Sequence, residues 1–411
     1  MSENGQSKKK FRHIAVAGIF FQGGAAALDT STIIATLVHG LTGSALAVGA
    51  AAAIARYGWL FPQIFVAYLA QRRVRRMGFY KVGAFGRAGC LAALAVLLAM
   101  AGALPPGLLV ALFFVLWTAY AFIGGIVAVP YNDIVARAIP SGRRSRMLAI
   151  RFFGGGILAL AIAAVAHRVL TLEGLAFPTG YAVIVALGAV LLLASSLSFI
   201  AAGESDAPLP ARSSDGFAGF LRDGLAVYGG DRRFRLFVQA QWLGGAAAMA
   251  LPFYVLQATA LTGGAAEVAV LLGASTAGAL ISNPLWGWWG DRIGKRGLLE
   301  GVALLGMAPP LLVLVLASSD SGGFMLLFLV LGALGNGSTI AMLGYLMEIS
   351  PDDRRPAYSG YFNAMVAPAA LLPLAGAAIV EAASLGAVFG LSLIAAALQF
   401  VAVRRLRRAR P

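Results

Sequence analysis

Residues 287–296, GWWGDRIGKR, lie between two apolar runs and form the most informative stretch of the chain. A weaker copy, AYLAQRRVRR, occupies residues 67–76, 220 positions earlier. Aligned without gaps, both read small–x–bulky–small–(Asp or Gln)–Arg–x–(Gly or Val)–(Lys or Arg)–Arg. Each copy follows the second long apolar segment of its half of the chain. One local sequence that recurs in this way indicates two duplicated halves.

The composition identifies the class of protein. Of the 411 residues, 60% are hydrophobic and only 12% are charged, and the mean hydropathy is +0.83. A soluble domain of this length would expose more charge, so the lipid bilayer is the expected solvent. Because one span needs about 20 apolar residues, we predict an all-α membrane protein with twelve spans: 13–37, 44–69, 81–103, 107–136, 147–168, 178–202, 233–259, 266–289, 298–318, 323–347, 357–380 and 384–403.

The distribution of positive charge predicts the orientation. All but three of the 32 Lys and Arg residues lie at the N-terminus, at the C-terminus or around the connections after even-numbered spans. The connections after odd-numbered spans carry acids instead: Glu173, Glu267, Asp320 and Glu381. By the positive-inside rule, we predict a multi-pass protein of the inner (plasma) membrane with both termini cytoplasmic. The net charge of +15 is then a topology signal, and nucleic acid is not an expected partner.

A long polar stretch separates two sets of six spans. Residues 203–231 contain GESDAPLPARSSDG and are predicted to be a cytoplasmic linker between an amino-terminal bundle, 1–202, and a carboxy-terminal bundle, 232–411. The sequences PSGRR at 140–144 and PDDRR at 351–355 form a second matched pair, 211 residues apart. Two collinear copies of six spans share one membrane orientation, which makes them parallel repeats.

These features together resemble the major facilitator superfamily. The six-plus-six spans, the central loop and the decapeptide cover nearly the whole chain, and residues 287–296 are similar to the family's signature loop, G-x-L-A-D-R-x-G-R-K. The resemblance implies two six-helix bundles that rock about a central cavity. The residues that match the signature are Gly287, Gly290, Asp291, Arg292, Gly294, Lys295 and Arg296, whereas Trp289 replaces the usual Leu.

The signature loop is the predicted cytoplasmic gate. Asp291 can accept a hydrogen bond from a facing helix N-terminus or meet a cation, in a contact that breaks when the bundles rock. Gly294 permits a tight turn, and Gly287 and Gly290 allow close approach of helices. The alternative is a simple turn whose basic residues only set the topology, and for three of them both interpretations stay open: Arg292, Lys295 and Arg296.

The amino-terminal copy of the loop departs from the signature. Gln71 stands where the acid is expected, next to Arg72. We therefore expect the amino-terminal latch to be weak or replaced. Asp133 and Glu348, near the same ends of spans four and ten, could partner Arg72 and Arg292.

Three ionisable residues lie deep within predicted spans. A charge at the centre of the bilayer costs at least about 2.5–3.5 kcal/mol, so each is a functional candidate. Asp29 and Arg56 differ in depth by only about 4–5 Å, which predicts an ion pair between the first two spans. The pair is either structural, or functional with Asp29 taking up a proton or Arg56 binding an anionic substrate. We expect Arg87 to snorkel towards the cytoplasm in a structural role.

Neutral polar and aromatic side chains complete the candidate cavity. In membrane spans they act either as contacts between helices or as contacts to a solute. The polar candidates are Gln22, Gln239, Gln241, Asn283, Asn336, Ser338, Thr339 and Asn363. The aromatic candidates, for which packing is the alternative, are Trp117, Tyr120, Trp242, Tyr254 and Tyr361.

The resemblance implies a secondary transporter, which we expect to be a monomer that moves a small organic solute by symport or antiport, coupled to protons or another ion. The sequence has no GxxxxGK[ST], HExxH or CxxC motif and a single cysteine, Cys90, so we expect no enzyme activity, cofactor or metal. One alternative is proton-driven efflux of hydrophobic compounds. Drug/proton antiporters of the superfamily usually carry G-x-x-x-G-P-x-x-G-G in span five, and span five of this chain lacks that Pro. The other alternative is a non-transporting scaffold or assembly factor with the same fold.

Overall fold

The computed structural model consists of α-helices, as the long apolar runs predict. It describes residues 3–70, 75–139, 141–172, 174–204, 216–262, 265–316, 321–351 and 355–406. These ranges contain no β-strand. The predicted fold class, an all-α polytopic membrane protein, is confirmed.

Seven helices precede residue 203: α1 Glu3–Ala27, α2 Ile33–Thr42, α3 Ala45–Ala70, α4 Met77–Ala99, α5 Pro106–Ala138, α6 Ser141–Leu170 and α7 Thr179–Ala202. Ten more follow: α8 Phe217–Gly230, α9 Arg232–Ala247, α10 Leu251–Thr262, α11 Ala265–Arg292, α12 Lys295–Leu305, α13 Ala308–Val315, α14 Ser321–Ile349, α15 Arg355–Val366, α16 Leu372–Ala382 and α17 Leu385–Arg405.

Eleven segments of the described chain are long and apolar enough to cross a membrane, and they correspond to predicted spans two to twelve. Three of these spans depart from α-helical geometry: a 3₁₀ helix, Ala248–Ala250, separates α9 from α10, a short turn separates α12 from α13, and a 3₁₀ helix, Ala367–Leu371, separates α15 from α16. Pro252, Pro309 and Pro368 lie at or just after these segments. Proline has no N–H to donate and displaces the preceding helical turn, which accounts for the breaks.

The first predicted span, 13–37, is not one continuous helix. The helix α1 ends at Ala27, and the short apolar helix α2 begins at Ile33. The sequence Asp29-Thr-Ser-Thr lies in the break, where side-chain hydroxyl and carboxylate groups offer the backbone alternatives to helical hydrogen bonds. The break places Asp29 between two helices rather than within one.

The chain forms two compact units. Unit 1 comprises Met1–Gly43, Ile54–Arg212 and Gly264–Gly273, and unit 2 comprises Ser44–Ala53, Ser213–Gly263 and Ala274–Pro411. In unit 1, α1 packs against α6 and α7, and α4 packs against α5 and α7. In unit 2, α17 packs against α9 and α12, and α12 packs against α14. The bundle boundaries expected from the polar stretch remain a prediction.

Part of the predicted linker is helical. Residues 217–230 form α8, which packs against α9 and α15 of unit 2. Gly224 lies so close to the ring of Tyr361 that an added Cβ would be 2.7 Å from it. This part of the polar stretch therefore docks on unit 2.

Glycine allows close helix approach at corresponding places in the two units. In unit 1, a Cβ added to Gly58 of α3 would lie 2.7 Å from the Cβ of Ala121 in α5. In unit 2, Gly278 of α11, which lies 220 residues later, packs directly against the backbone carbonyl of Leu329 in α14. Small residues let membrane helices approach closely. The spacing equals that of the repeated decapeptide.

Candidate functional site

Unit 1 encloses a cavity of about 330 Å³ among α1, α3, α4, α5 and α7. Its lining includes four aromatic residues: Phe21, Trp59, Trp117 and Tyr120. The rings of Phe21 and Trp59 lie 6.4 Å apart, and those of Trp117 and Tyr120 lie 5.1 Å apart. Trp117 and Tyr120 were candidates from the sequence. The cavity also contains two arginines, Arg56 and Arg87.

Arg87 is almost completely buried, with 2% of its surface exposed. It lies ten residues into α4, so the helix carries it about 15 Å from its first residue. One guanidinium nitrogen, Nη2, donates to Ser196 Oγ at 3.2 Å, and the group lies 5.5 Å from the centre of the Phe21 ring. The Nε–H has no hydrogen-bond partner among the described residues. The expectation that Arg87 snorkels is therefore wrong, because its side chain turns into the cavity wall.

Arg56 of α3 also lines the cavity but is exposed. It forms no ion pair with Asp29 in this structure. A similar expected depth in the membrane was therefore not sufficient for the two residues to pair. The helix α1 ends before Asp29, and the Asp29 carboxylate accepts hydrogen bonds from Ser31 and Thr32 instead.

Asp29 organises the break between α1 and α2. Its Oδ1 accepts hydrogen bonds from Ser31 N at 3.0 Å, Ser31 Oγ at 2.7 Å and Thr32 Oγ1 at 2.8 Å. Its backbone carbonyl accepts from Ile34 N at 3.0 Å, at the start of α2. Both sequence neighbours of Asp29, Leu28 and Thr30, line the cavity. The carboxylate therefore shapes one side of the cavity without forming an ion pair with Arg56.

A third arginine, Arg151 of α6, was not among the deep charges identified from the sequence. Its guanidinium lies 5.4 Å from the centre of the Phe21 ring and 5.5 Å from that of Tyr131, and Nη1 donates to the Tyr131 hydroxyl at 3.1 Å. Its Nε is buried and has no hydrogen-bond partner in the ranges that the structure describes. Its position near the start of span five made it look like part of the connecting loop. The sequence feature related to this position is Gly18. The aliphatic part of Arg151 fills the space that a side chain at residue 18 would occupy.

The neutral polar candidates do not join this cavity. Gln22 packs under Gly155, where an added Cβ would be 2.6 Å from the Gln22 side chain. Asn336 Nδ2 donates to Asn283 Oδ1 at 3.1 Å, in unit 2. Gln239 is exposed, and Asn363 is half-buried. Substrate roles for these residues remain predictions.

The amino-terminal decapeptide is anchored by an ionic network in unit 1. Arg76, its last residue, forms an ion pair with Asp133 of α5, and Arg137 Nη2 lies 2.7 Å from the second Asp133 oxygen. Glu204 accepts from Arg76 N at 2.8 Å and from Met77 N at 2.9 Å, which satisfies two free amides at the start of α4. Asp133 thus pairs with Arg76, and its expected pairing with Arg72 stays a prediction. Gln71 and Arg72 lie outside the described residues.

The carboxy-terminal decapeptide joins α11 to α12 in unit 2. Gly294 has φ +85° and ψ 164°, a conformation nearly restricted to glycine, as the predicted turn requires. The Asp291 carboxylate is 82% exposed, and its cationic partner is Lys295 of the same turn at 3.3 Å. An added Cβ on Gly290 would lie 3.2 Å from Leu298, whereas Gly287 faces open space. The close approach expected at Gly287 is therefore wrong for this structure.

The remaining charges of this loop stay near their own helices. Arg296 lies 3.9 Å from Glu300, and the Arg292 guanidinium lies 5.7 Å from the centre of the Trp288 ring. No ion pair between Arg292 and Glu348 is found in the described part of the chain.

Comparison with known families supports the resemblance carried by the decapeptide. Residues 240–411 match the model of the Major Facilitator Superfamily. No curated protein shows significant sequence similarity to the chain.

Three transporters are among the solved structures with a similar fold. The nucleoside transporter NupG is 13% identical, with 97% of this chain and 99% of that chain covered and a TM-score of 0.72. A bacterial homologue of the iron transporter ferroportin, in an outward-facing state with soaked iron, is 13% identical over 97% and 99%, with a TM-score of 0.65. A POT family transporter in complex with a thioalcohol-conjugated peptide is 10% identical over 97% and 95%, with a TM-score of 0.72. At these identities the likeness establishes the fold.

Proposed function

We propose that this chain, which has the major facilitator fold and matches that family's model over residues 240–411, is a secondary transporter of a small organic solute. The observation that carries the proposal is the cavity of unit 1, which holds Arg56 and Arg87 within membrane-spanning helices. A charge at membrane depth costs at least about 2.5–3.5 kcal/mol, and such residues typically mark solute or ion pathways.

The transport cycle is alternating access, with the two decapeptide loops at the cytoplasmic ends of their bundles. The amino-terminal loop is supported by the network of Arg76, Asp133 and Arg137. In the carboxy-terminal loop, Asp291 is exposed, and its ion pair among the described residues lies within its own turn, so its carboxylate can engage a facing helix in another state of the cycle. We assign the stronger gate to this loop.

Coupling to a proton gradient is assigned to Asp29. Protonation would weaken a carboxylate oxygen that accepts three hydrogen bonds in the break between α1 and α2. Because Leu28 and Thr30 line the cavity, a change at this break would alter the shape of the site. A proton and a solute would thereby act on the same segment.

The test is uptake into proteoliposomes under an imposed pH gradient, across a panel of anionic, neutral and cationic solutes. We expect gradient-dependent flux of at least one solute, and loss of the gradient dependence in Asp29→Asn. The control is Asp223→Asn, the same change at an exposed residue of α8. Unchanged gradient dependence in Asp29→Asn would remove Asp29 from the coupling step while leaving transport itself intact.

Efflux of hydrophobic compounds is the second candidate, favoured by the aromatic walls of the cavity. It predicts that neutral and cationic aromatic compounds are transported at least as well as anions. A scaffold without transport predicts no flux for any solute together with a stably co-purifying protein.

A further inference from the structure

We infer that the cavity of unit 1 binds a small aromatic anion, with Arg87 and Arg56 holding its acidic group. This inference rests on the proposed function, because it names the class of solute that the transporter would carry. It draws on four independent features of the cavity: its charge, the free donor of Arg87, its aromatic walls and its size.

The charged side chains that line the cavity are both positive. The described lining contains two arginines and no carboxylate. Arg87 is buried yet forms no ion pair with any described acid, and Arg56 does not pair either. Buried charges in proteins are ordinarily paired. A bound anion would supply the missing charge.

The local acids are committed elsewhere. Asp29 is saturated at Oδ1 by Ser31 and Thr32. Asp133 and Glu204 lie in the network around Arg76 and Arg137. Arg151, on the same Phe21 ring as Arg87, adds a further cation to this side of the unit and has no described acidic partner. The potential in the cavity is therefore positive.

Arg87 is built to receive an anion. Its side chain is 98% buried, as 2% of its surface is exposed, and Ser196 and the Phe21 ring hold its guanidinium in place. Within the described part of the chain, its Nε–H remains without a hydrogen-bond partner. Guanidinium groups bind carboxylates and phosphates through two parallel hydrogen bonds, and a positioned group loses little freedom when it does so. Arg56, on the same lining and exposed, can reach an arriving solute first.

The aromatic side chains of the cavity favour a ligand that contains an aromatic ring. Phe21, Trp59, Trp117 and Tyr120 all line the cavity. Aromatic rings pair favourably in offset or edge-to-face arrangements, so a planar ligand gains from such walls. A volume of about 330 Å³ lies at the lower end of ligand sites, which suits a compact molecule with one or two rings.

The experiment is isothermal titration calorimetry on the purified full-length protein in detergent. The probes are benzoate and phenyl phosphate, with benzamide as the neutral and benzylamine as the cationic analogue. We expect at least one anion to bind about tenfold or more tightly than both analogues, and Arg56→Gln to weaken its binding by about tenfold or more. Preference for carboxylate or phosphate follows from which anion binds more tightly.

Two further variants complete the design. Arg87→Lys keeps the charge but loses the planar fork, so we expect weaker anion binding. Should this variant not fold, the Arg56→Gln result still decides the matter, because Arg56 is exposed. Arg168→Gln, at an exposed arginine outside the cavity, should bind the anion as the unmodified protein does.

Equal binding of all four probes, binding of neither anion, or tight anion binding that Arg56→Gln leaves unchanged would each overturn the inference. Because calorimetry measures binding without flux, the proposed function fails separately. Anion binding without any flux in proteoliposomes would support the site and reject transport. Flux confined to neutral or cationic solutes would support transport and reject the anion site.

Discussion

Arg76 and Asp133 form an ion pair that ties the last residue of the amino-terminal decapeptide to α5. Asp133 also binds Arg137, one turn further along its own helix. One carboxylate thus serves two guanidinium groups, and the three side chains are 13–23% exposed. The decapeptide has Gln71 where the signature has an acid. Asp133, on α5, provides a carboxylate for the last residue of the decapeptide, Arg76.

Asp133→Asn should therefore destabilise unit 1. Both arginines lose their shared counter-charge, although Arg137 keeps Glu204 at 3.9 Å. Because the network is partly exposed, we expect a loss of about 1–2 kcal/mol rather than the larger cost of breaking a fully buried pair. Thermal unfolding in detergent measures it, with Asp223→Asn as the control. An unfolding temperature equal to that of the control would contradict this role for Asp133.

Gly278→Ala should disrupt unit 2. The added methyl group would collide with the backbone carbonyl of Leu329, which cannot move without displacing α14. We expect a loss of about 3 kcal/mol or more, at the upper end of overpacking effects. Gly89→Ala, at a helical glycine of α4 with open space around it, is the matched control and should be neutral or slightly stabilising. Size-exclusion profiles and thermal unfolding would separate the two variants, and equal behaviour would show that the close approach is not required.

Two substitutions of Asp29 separate the effect of its hydrogen bonds on stability from the effect of its charge. Asp29→Asn keeps an oxygen acceptor for Ser31 and Thr32, so the unfolding temperature should stay close to that of the unmodified protein. Asp29→Ala leaves these donors without their partner and should cost about 1–3 kcal/mol. Equal stability of the two variants would mean that these hydrogen bonds do not hold the break between α1 and α2.

Gly294→Ala and Gly287→Ala form a matched pair within the carboxy-terminal decapeptide. At Gly294 the backbone has φ +85°, so a side chain should cost about 1–3 kcal/mol. At Gly287 the added methyl group meets open space within α11, so alanine should be tolerated. Unfolding temperatures of the two variants provide the comparison, and a tolerated Gly294→Ala would argue against a strained turn.

Local sequence patterns were sufficient for the elements of this protein. Span positions follow from runs of apolar residues, because backbone groups within a bilayer must be hydrogen-bonded internally, as they are in a helix. The turn at Gly294 followed from the decapeptide itself. The break at Asp29 was less visible, since the apolar average over a span hides four polar residues that compete for its backbone hydrogen bonds.

The arrangement of the charges was decided by the tertiary structure. Depth along a helix is a one-dimensional quantity, and it suggested that Asp29 and Arg56 would meet. Contact also depends on which way each helix is rotated and where it ends, and those are set by packing against neighbours such as Gly58 on Ala121.

The sequence by itself determined the class of protein, the positions of predicted spans two to twelve and the position of the repeated loop, because these depend on properties of contiguous residues. Only the tertiary structure decided that Arg87 is buried beside Phe21, that Arg151 joins it, and that the acids of unit 1 are engaged elsewhere. Arg87 and Arg151 each lie more than 60 positions from Phe21, and Asp133 lies 57 positions from Arg76. These relations arise when helices pack, and no local pattern encodes them.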